Sequence, residues 1–273
     1  MPTSSSGTLT REACTLSWTE SGSGPAVLFI HGTAASIWGD LVERTASFAR
    51  AISYERRGFG ASHARPVGSL PPHAEDALAL LDARQARGAI VVGWSIGGII
   101  AAELAIRDPA AVAGMVLLEP PFWAKKHPDA NLISGVVGSI LLGLVAGPQR
   151  GGRRFNRWVF RERASGNTLD RIEPALRARM DANAAAIGIE LRGGTGEHLR
   201  HEQLQAINVP VVSFAGTRSQ QFLADGAERI ARAIPGARFE VLEGASHFLQ
   251  LERSETIAGT IRGMIEASAR RAA

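Results

Sequence analysis

Residues 89–109, AIVVGWSIGGIIAAELAIRDP, pass from a continuous apolar run into a glycine-flanked serine, then into a helical pattern closed by Asp108 and Pro109. A short apolar run without polar alternation marks a strand covered on both faces. The helical pattern stops at the proline because the residue before a proline avoids helical backbone. Between the two, GWSIGG (Gly93 to Gly98) satisfies G-x-S-x-G in the strand–turn–helix context that this motif requires. A side chain at Gly93 or Gly97 would collide with the backbone crossing so sharp a turn. The turn holds the Ser95 hydroxyl at the C-terminal edge of a sheet, where ligands bind in open α/β folds. Ser95 is therefore the candidate nucleophile.

The same alternation extends on both sides of this stretch. Upstream, AVLFI (26–30) reads as a buried strand ending at His31-Gly32, and Ala51 to Tyr54 form a second strand. Pro71 and Pro72 open a helix with an apolar stripe of Ala77, Leu78, Leu80 and Leu81. Downstream, AVAGMVLLE (111–119) is the next strand, and it ends on a carboxylate followed by Pro120 and Pro121. A charge is costly to bury without a partner, so Glu119 is expected at a rim. The alternation then fails from Phe122 to about Ala206, a helical and irregular stretch rich in Arg, Gly and Ala. It resumes with VPVVSFAG, QFLADGAERIARAIPG, RFEVLEG and a final helix over about Glu255 to Ala267. The pattern predicts an α/β fold with a largely parallel sheet flanked by helices, with only the chain ends frayed. The core domain is residues 1–121 and 207–273, and residues 122–206 are an inserted helical subdomain.

Composition narrows the functional classes. A chain of 273 residues can bury a full core, and 45% hydrophobic with 21% charged residues is the make-up of an ordinary soluble globule. Basic residues exceed acidic ones by only four (30 against 26), too few and too dispersed for nucleic acid to be the main partner. One cysteine, Cys14, excludes an internal disulfide, and the N-terminal sequence shows no secretory signal, so a cytoplasmic location is expected. The longest apolar tract, Leu132 to Gly147, is shorter than a membrane span and contains four glycines; no stable membrane insertion is expected, and the tract reads as a buried or pocket-lining helix. His198 and His201 could share a helix face, but no further ligands are spaced near them, so no metal is expected. The glycine-rich LRGGTGEH lacks the strand, lysine and hydroxyl of a phosphate loop and reads as a flexible loop.

HGTAASIW, beginning at His31 after the first buried strand, supplies the complement to a serine nucleophile. Acyl transfer builds negative charge on a carbonyl oxygen, and preorganised backbone N–H groups stabilise it. The N–H groups of Thr33 and of Ile96, the residue after the nucleophile, are the expected pair, with His31 bracing the loop. Taken with YERRGFGAS and GASHFLQLERSE, in this order and spacing, the chain resembles the α/β-hydrolase superfamily from about Thr15 to Met264. The resemblance implies the α/β-hydrolase fold with a helical lid over the nucleophile formed by residues 122–206. It also implies that Arg57, Gly58 and Gly60 are scaffold and that His247, after the last strand, is the catalytic base. Imidazole suits that role near neutral pH.

The third member of such a triad is not where the resemblance puts it. Most family members carry an aspartate three residues after the glycine that ends the penultimate strand; here Gly216 is followed at that distance by Ser219. Three arrangements remain open. The acid has moved to the end of the strand after the nucleophile, as in some haloalkane dehalogenases and zearalenone-lactonase-like hydrolases, which selects Glu119; or Asp225 or Glu243 substitutes; or the triad is incomplete. The order Ser95, Glu119, His247 satisfies the family's order of serine, acid and histidine.

Lids diverge, so the substrate must be read from residues. Trp94, Phe122, Trp123 and Leu141 are the expected pocket lining. QRGGRRFNRWVFRERAS repeats Arg153, Arg157 and Arg161 along one helix face, which reads as a solvated outer surface or a contact for an anionic membrane or acidic substrate. The expected function is hydrolysis of a largely apolar ester or lactone without metal or organic cofactor. Carbon–carbon bond hydrolysis on the same residues and a ligand-binding role without catalysis are the alternatives. The expected partner is a small apolar ester or lactone, with a homodimer left open.

Overall fold

The computed structural model describes residues 4–11 and 14–272. Its strands are β1 (Ser4–Arg11), β2 (Cys14–Ser21), β3 (Ala26–Ile30), β4 (Arg50–Tyr54), β5 (His63–Ala64), β6 (Ala89–Trp94), β7 (Val112–Leu118), β8 (Val211–Gly216) and β9 (Arg238–Leu242). They form one sheet in the order β1-β2-β4-β3-β6-β7-β8-β9, with the short β5 paired to β2. β1 and β2 pair antiparallel and β2 runs antiparallel to β4, whereas every pairing from β4 to β9 is parallel. β6 and β8 are buried along their whole length, as the unbroken apolar runs require.

The helices are α1 (Leu41–Ala46), α2 (Pro71–Ala83), α3 (Ile96–Arg107), α4 (Ala130–Ala146), α5 (Pro148–Val159), α6 (Pro174–Ala182), α7 (Ala184–Glu190), α8 (His201–Gln205), α9 (Gln221–Ala233), α10 (Leu249–Glu252) and α11 (Ser254–Ala272). Two apolar clusters cover the two faces of the sheet. One holds Phe29, Trp94, Val116 and Phe214 together with α11; the other holds Leu28, Val91, Leu117 and Ile99 together with α2 and α3. Helices α4 to α8 all fall between β7 and β8, where the alternation failed in the sequence.

Two features differ from the sequence pattern. The hairpin of β1 and β2 was not legible, because β1 is polar and largely exposed and so carries no buried face. The final helix runs five residues past the expected Ala267.

The insertion is tied to the core by a buried ion pair. The Arg56 guanidinium, wholly buried, donates to both carboxylate oxygens of Glu190 at the end of α7 and also to the Gly32 carbonyl at 3.1 Å. It packs over the Phe59 ring, 4.7 Å from the centroid. A second tie runs from the Asn183 amide oxygen, which accepts the Gly60 N–H at 2.7 Å. Gln220, just before α9, donates to the carbonyls of Trp158 and Val159 and closes the other side.

His31 lies in the same cluster. Its Nδ1 donates to the Gly32 carbonyl at 2.6 Å and its Nε2 accepts the Arg56 N–H at 2.8 Å, so both nitrogens are committed in the neutral ring. Burial, and then the Arg56 charge, push His31 well below the ordinary histidine range, and the same two causes act on His73. Glu55 lies 3.7 Å from His31 Nε2, Glu190 lies 3.5 Å from His73 Nε2, and Arg57 and Arg179 add positive charge around the pair.

Two outcomes follow from this cluster. Glu190→Ala leaves the Arg56 charge buried without its partner and should lower unfolding free energy by about 3–5 kcal/mol in urea denaturation, while the double change Arg56→Met/Glu190→Leu costs much less. The two histidines are neutral in the folded state and protonate in the unfolded chain below pH of about 6.5, so unfolding takes up protons there. Their contribution is fully present above that pH and is lost as pH falls, at up to about 1.4 kcal/mol per pH unit for each ring. Melting curves between pH 8 and pH 5 should show this slope, and His73→Gln should flatten it.

Candidate active site

Ser95 sits between β6 and α3 with φ 54° and ψ −125°, a backbone region that L residues rarely adopt. The turn tolerates no side chain at its flanking glycines. A Cβ on Gly97 would stand 2.1 Å from the Ile30 carbonyl oxygen, and one on Gly93 would stand 2.5 Å from that of Gly97. The loop after β3 passes equally close, since a Cβ on Gly32 would lie 2.9 Å from the Ser95 Cβ. That approach brings Thr33 and Ile96 to the same cavity as Ser95. Ile96 is the first residue of α3, so its N–H has no intrahelical acceptor.

Glu119 follows the last residue of β7, with its N–H donated to the Phe214 carbonyl at 3.0 Å and φ at 49°. The left-handed backbone, followed by two prolines, turns the chain out of the sheet. The carboxylate is not at a rim, as the sequence suggested, but wholly buried. It is satisfied on both oxygens: Oε1 accepts the Gly216 N–H at 2.6 Å and Oε2 accepts from His247 Nδ1 at 2.6 Å. A buried carboxylate is tolerated when its oxygens are paired in this way.

Neither alternative acid reaches the imidazole. Asp225 is bonded to Gln221 and lies 3.8 Å from Arg229, and Glu243 accepts from the Thr217 hydroxyl at 3.2 Å. Ser219, at the position where the resemblance implies an acid, has a buried hydroxyl without a hydrogen-bond partner. Among the described residues, no hydrogen bond joins Ser95 Oγ to His247 Nε2, so that nitrogen is uncommitted.

The pocket expected from the sequence needs correction at all four positions. Trp94 lies behind the site: its ring packs on His247 with centroids 5.6 Å apart, and its Nε1–H donates to the His247 carbonyl at 2.9 Å. Phe122 is buried in the core on the α3 side of the sheet and stacks on Trp123 at 4.6 Å. Trp123 donates to the Gly196 carbonyl and so braces the glycine-rich loop after α7 without lining the cavity itself. Leu141 is on the outer face of α4, 55% exposed, because Gly135, Ser139 and Gly143 are the residues that turn inward.

The cavity at Ser95 encloses about 70 Å³. Its walls are Leu132 and Val136 from α4, Phe155, Trp158 and Val159 from α5, Leu191, and Phe222 and Leu223 from α9. Gly193, Gly194 and Thr195, in the glycine-rich stretch read as a flexible loop, also line it. Phe155 and Trp158 lie opposite the arginine face of α5, and that asymmetry was a usable signal. Nothing in the sequence marked Phe222 and Leu223. Lys125 and Glu190 are the ionisable residues among its lining. The Lys125 ammonium donates to the Leu191 and Gly193 carbonyls, and burial pushes it below the ordinary lysine range despite the opposing charge of Glu197.

A family model described as "Alpha/beta hydrolase family" matches residues 27–260. The chain is 26% identical over 240 residues to a pimeloyl-[acyl-carrier protein] methyl ester esterase of Vibrio atlanticus, covering 85% of this chain and 91% of that relative. It is 25% identical over 246 residues to 3-oxoadipate enol-lactonase 1 of Acinetobacter baylyi, covering 89% of each. Among solved structures it is similar to Est816, described as an N-acyl homoserine lactone degrading enzyme, with a TM-score of 0.75, 22% identity and coverage of 94% of this chain and 99% of that one. That identity speaks to fold alone. The family match takes in the parallel strands, the nucleophile turn and the histidine loop together, and the chain belongs to the α/β hydrolase family.

Proposed function

We propose that the protein is a serine hydrolase that cleaves a largely apolar carboxylic ester or lactone through an acyl-enzyme. The observation that carries the reading is the hydrogen bond from His247 Nδ1 to Glu119, buried beside the strained turn that presents Ser95. The relatives named as an esterase and an enol-lactonase support the reaction class. The helical insertion, residues 122–206, is the lid: α4 and α5 wall the cavity on the side facing Ser95.

On this reading each residue has a part in the reaction. Ser95 Oγ attacks the substrate carbonyl and its proton passes to His247 Nε2. Glu119 holds the ring in the tautomer that leaves Nε2 free to accept, and it stabilises the imidazolium that forms. The N–H groups of Thr33 and Ile96 bind the oxyanion. The tetrahedral species collapses, His247 returns the proton to the departing alkoxide, and the alcohol leaves; in a lactone it stays attached to the acyl group. Water then attacks the acyl-enzyme with its proton taken by His247, which passes it to Ser95 as the acid is released.

A cavity walled by leucine, valine and aromatic side chains favours an apolar acyl group. Each methylene moved from water into it contributes about 0.8 kcal/mol, which is roughly a fourfold gain in kcat/KM per carbon until the cavity is full. A series of p-nitrophenyl esters from acetate upward, measured beside lactones of matched size, should show that rise; a flat or falling series would remove the apolar assignment.

The acid has a separate test. Glu119→Gln should lower kcat by about 10³–10⁴, as expected when the orienting carboxylate is lost, and Asp225→Asn should leave it unchanged. A fluorophosphonate probe should label Ser95 in the native protein and fail with His247→Ala. If Glu119→Gln keeps near wild-type turnover while His247→Ala abolishes it, Glu119 is structural only.

A further inference from the structure

Helix α4 has an inner and an outer face of different chemistry. Its inner side carries Leu132, Gly135, Ser139 and Gly143, packed on α5; a Cβ on Gly135 would lie 2.0 Å from the Trp158 ring, so the two helices are in close contact. Its outer side exposes Ile133, Val137, Leu141, Leu142, Leu144 and Val145, with Leu144 at 60% and Val145 at 89%. Apart from Val241, these are the exposed large hydrophobic residues among the described ones. A stripe of this size on one helix marks a contact surface.

The arginines of α5, together with Arg161 just beyond its end, divide into two sets. Arg153 and Arg157 face Asp181 and Asp170 and are paired with them. Arg150, Arg154 and Arg161 have no acidic partner among the described residues, and Arg154 and Arg161 reach α4. Arg154 donates to the Ser134 carbonyl across Gly138, Arg161 donates to Asn131 at the start of α4, and Arg150 follows Gly147 at its end. From Ala130 to Arg161 the chain has no Asp or Glu, and Asp129 before it caps the helix by accepting the Leu132 N–H.

We propose that this outer face docks on an anionic lipid surface, with α4 lying in the plane of the interface and Arg150, Arg154 and Arg161 meeting the headgroups. An apolar stripe flanked by unpaired cations is the composition that binds such surfaces. A second copy of the chain fits less well, since stripe against stripe would bring two rows of unpaired arginine together with no carboxylate in the helix pair to neutralise them. No helix among the described residues is long and apolar enough to cross a membrane, which is consistent with α4 lying flat. Docking places the lipid on one side of α4 and the cavity on the other, where Leu132 and Val136 line it. Delivery of lipid-dissolved substrate to that cavity rests on the proposed esterase reading; the docking itself does not.

Cosedimentation of the full chain with vesicles tests this directly. Phosphatidylcholine vesicles containing one-third phosphatidylglycerol should pellet the protein at low salt, pure phosphatidylcholine should not, and added salt should weaken binding. Val137→Glu/Leu144→Glu/Val145→Glu should abolish pelleting, and Arg150→Gln/Arg154→Gln/Arg161→Gln should weaken it on the order of a hundredfold. Melting temperature should stay at the wild-type value in both variants, so loss of binding is not loss of fold. Turnover of a water-soluble ester, measured alongside, reports on the hydrolase reading alone. The proposal is overturned if wild type does not pellet with the anionic vesicles, binds both lipids equally, or binds unchanged in both variants. It is also overturned if analytical ultracentrifugation shows a dimer that the glutamate variant splits, since the stripe is then covered by a second copy.

Discussion

The Glu119 carboxylate joins three parts of the chain at one buried point. It follows β7, accepts the N–H of Gly216 at the end of β8, and accepts from the imidazole of His247 in the loop after β9. A carboxylate without exposure persists only with its oxygens bonded, so the pairing constrains both partners: the β8 end must offer its N–H and the histidine loop must bring Nδ1 to the other oxygen. Gly216 has to be glycine for this, because a Cβ there would stand 2.3 Å from the Ala245 carbonyl oxygen. The histidine loop can therefore press against the end of β8, and Trp94 holds it from behind through the His247 carbonyl.

The same point shows how a carboxylate at the end of β7 reaches a histidine in the loop after β9. The family resemblance implies an acid in the loop after β8, three residues past a glycine. In this chain the glycine is retained and its N–H is used as a donor to the carboxylate from the adjacent strand. The residue that stands where the acid would be, Ser219, is left with a buried hydroxyl that nothing bonds. The parallel register of β7 against β8, which pairs Leu118 with Phe214, brings Glu119 and Gly216 within reach of each other.

Much of this was legible from local pattern. Unbroken apolar runs located the parallel strands, and G-x-S-x-G located Ser95, because steric collision in a tight turn leaves a fixed sequence trace. Glu119 was singled out by a gap, the serine at 219, rather than by any feature of its own, and its burial was misjudged because a strand end was equated with a rim. The cavity walls were not legible. Whether an apolar residue on α4 lines a pocket or faces water depends on which side the small residues Gly135, Ser139 and Gly143 turn, and that is set by the packing of α4 on α5. Phe122 and Trp123 looked like pocket residues by proximity to the strand end, but the left-handed turn at Glu119 and a second at Trp123 carry them away.

The insertion and the turn at Ser95 have opposite mechanical requirements, and one buried cluster serves both. Ser95 needs a rigid frame to hold a strained backbone, whereas the insertion must be held against the core without sharing the sheet. Arg56 meets both needs by donating at once to Glu190 of the insertion and to the Gly32 carbonyl of the loop beside Ser95. His31 completes the frame through Gly32 and the Arg56 N–H, and this works only while the ring is neutral, since protonation would remove the acceptor. Burial and the Arg56 charge lower the proton affinity of His31, and this keeps its Nε2 available as acceptor for the Arg56 N–H beside the Gly32 loop.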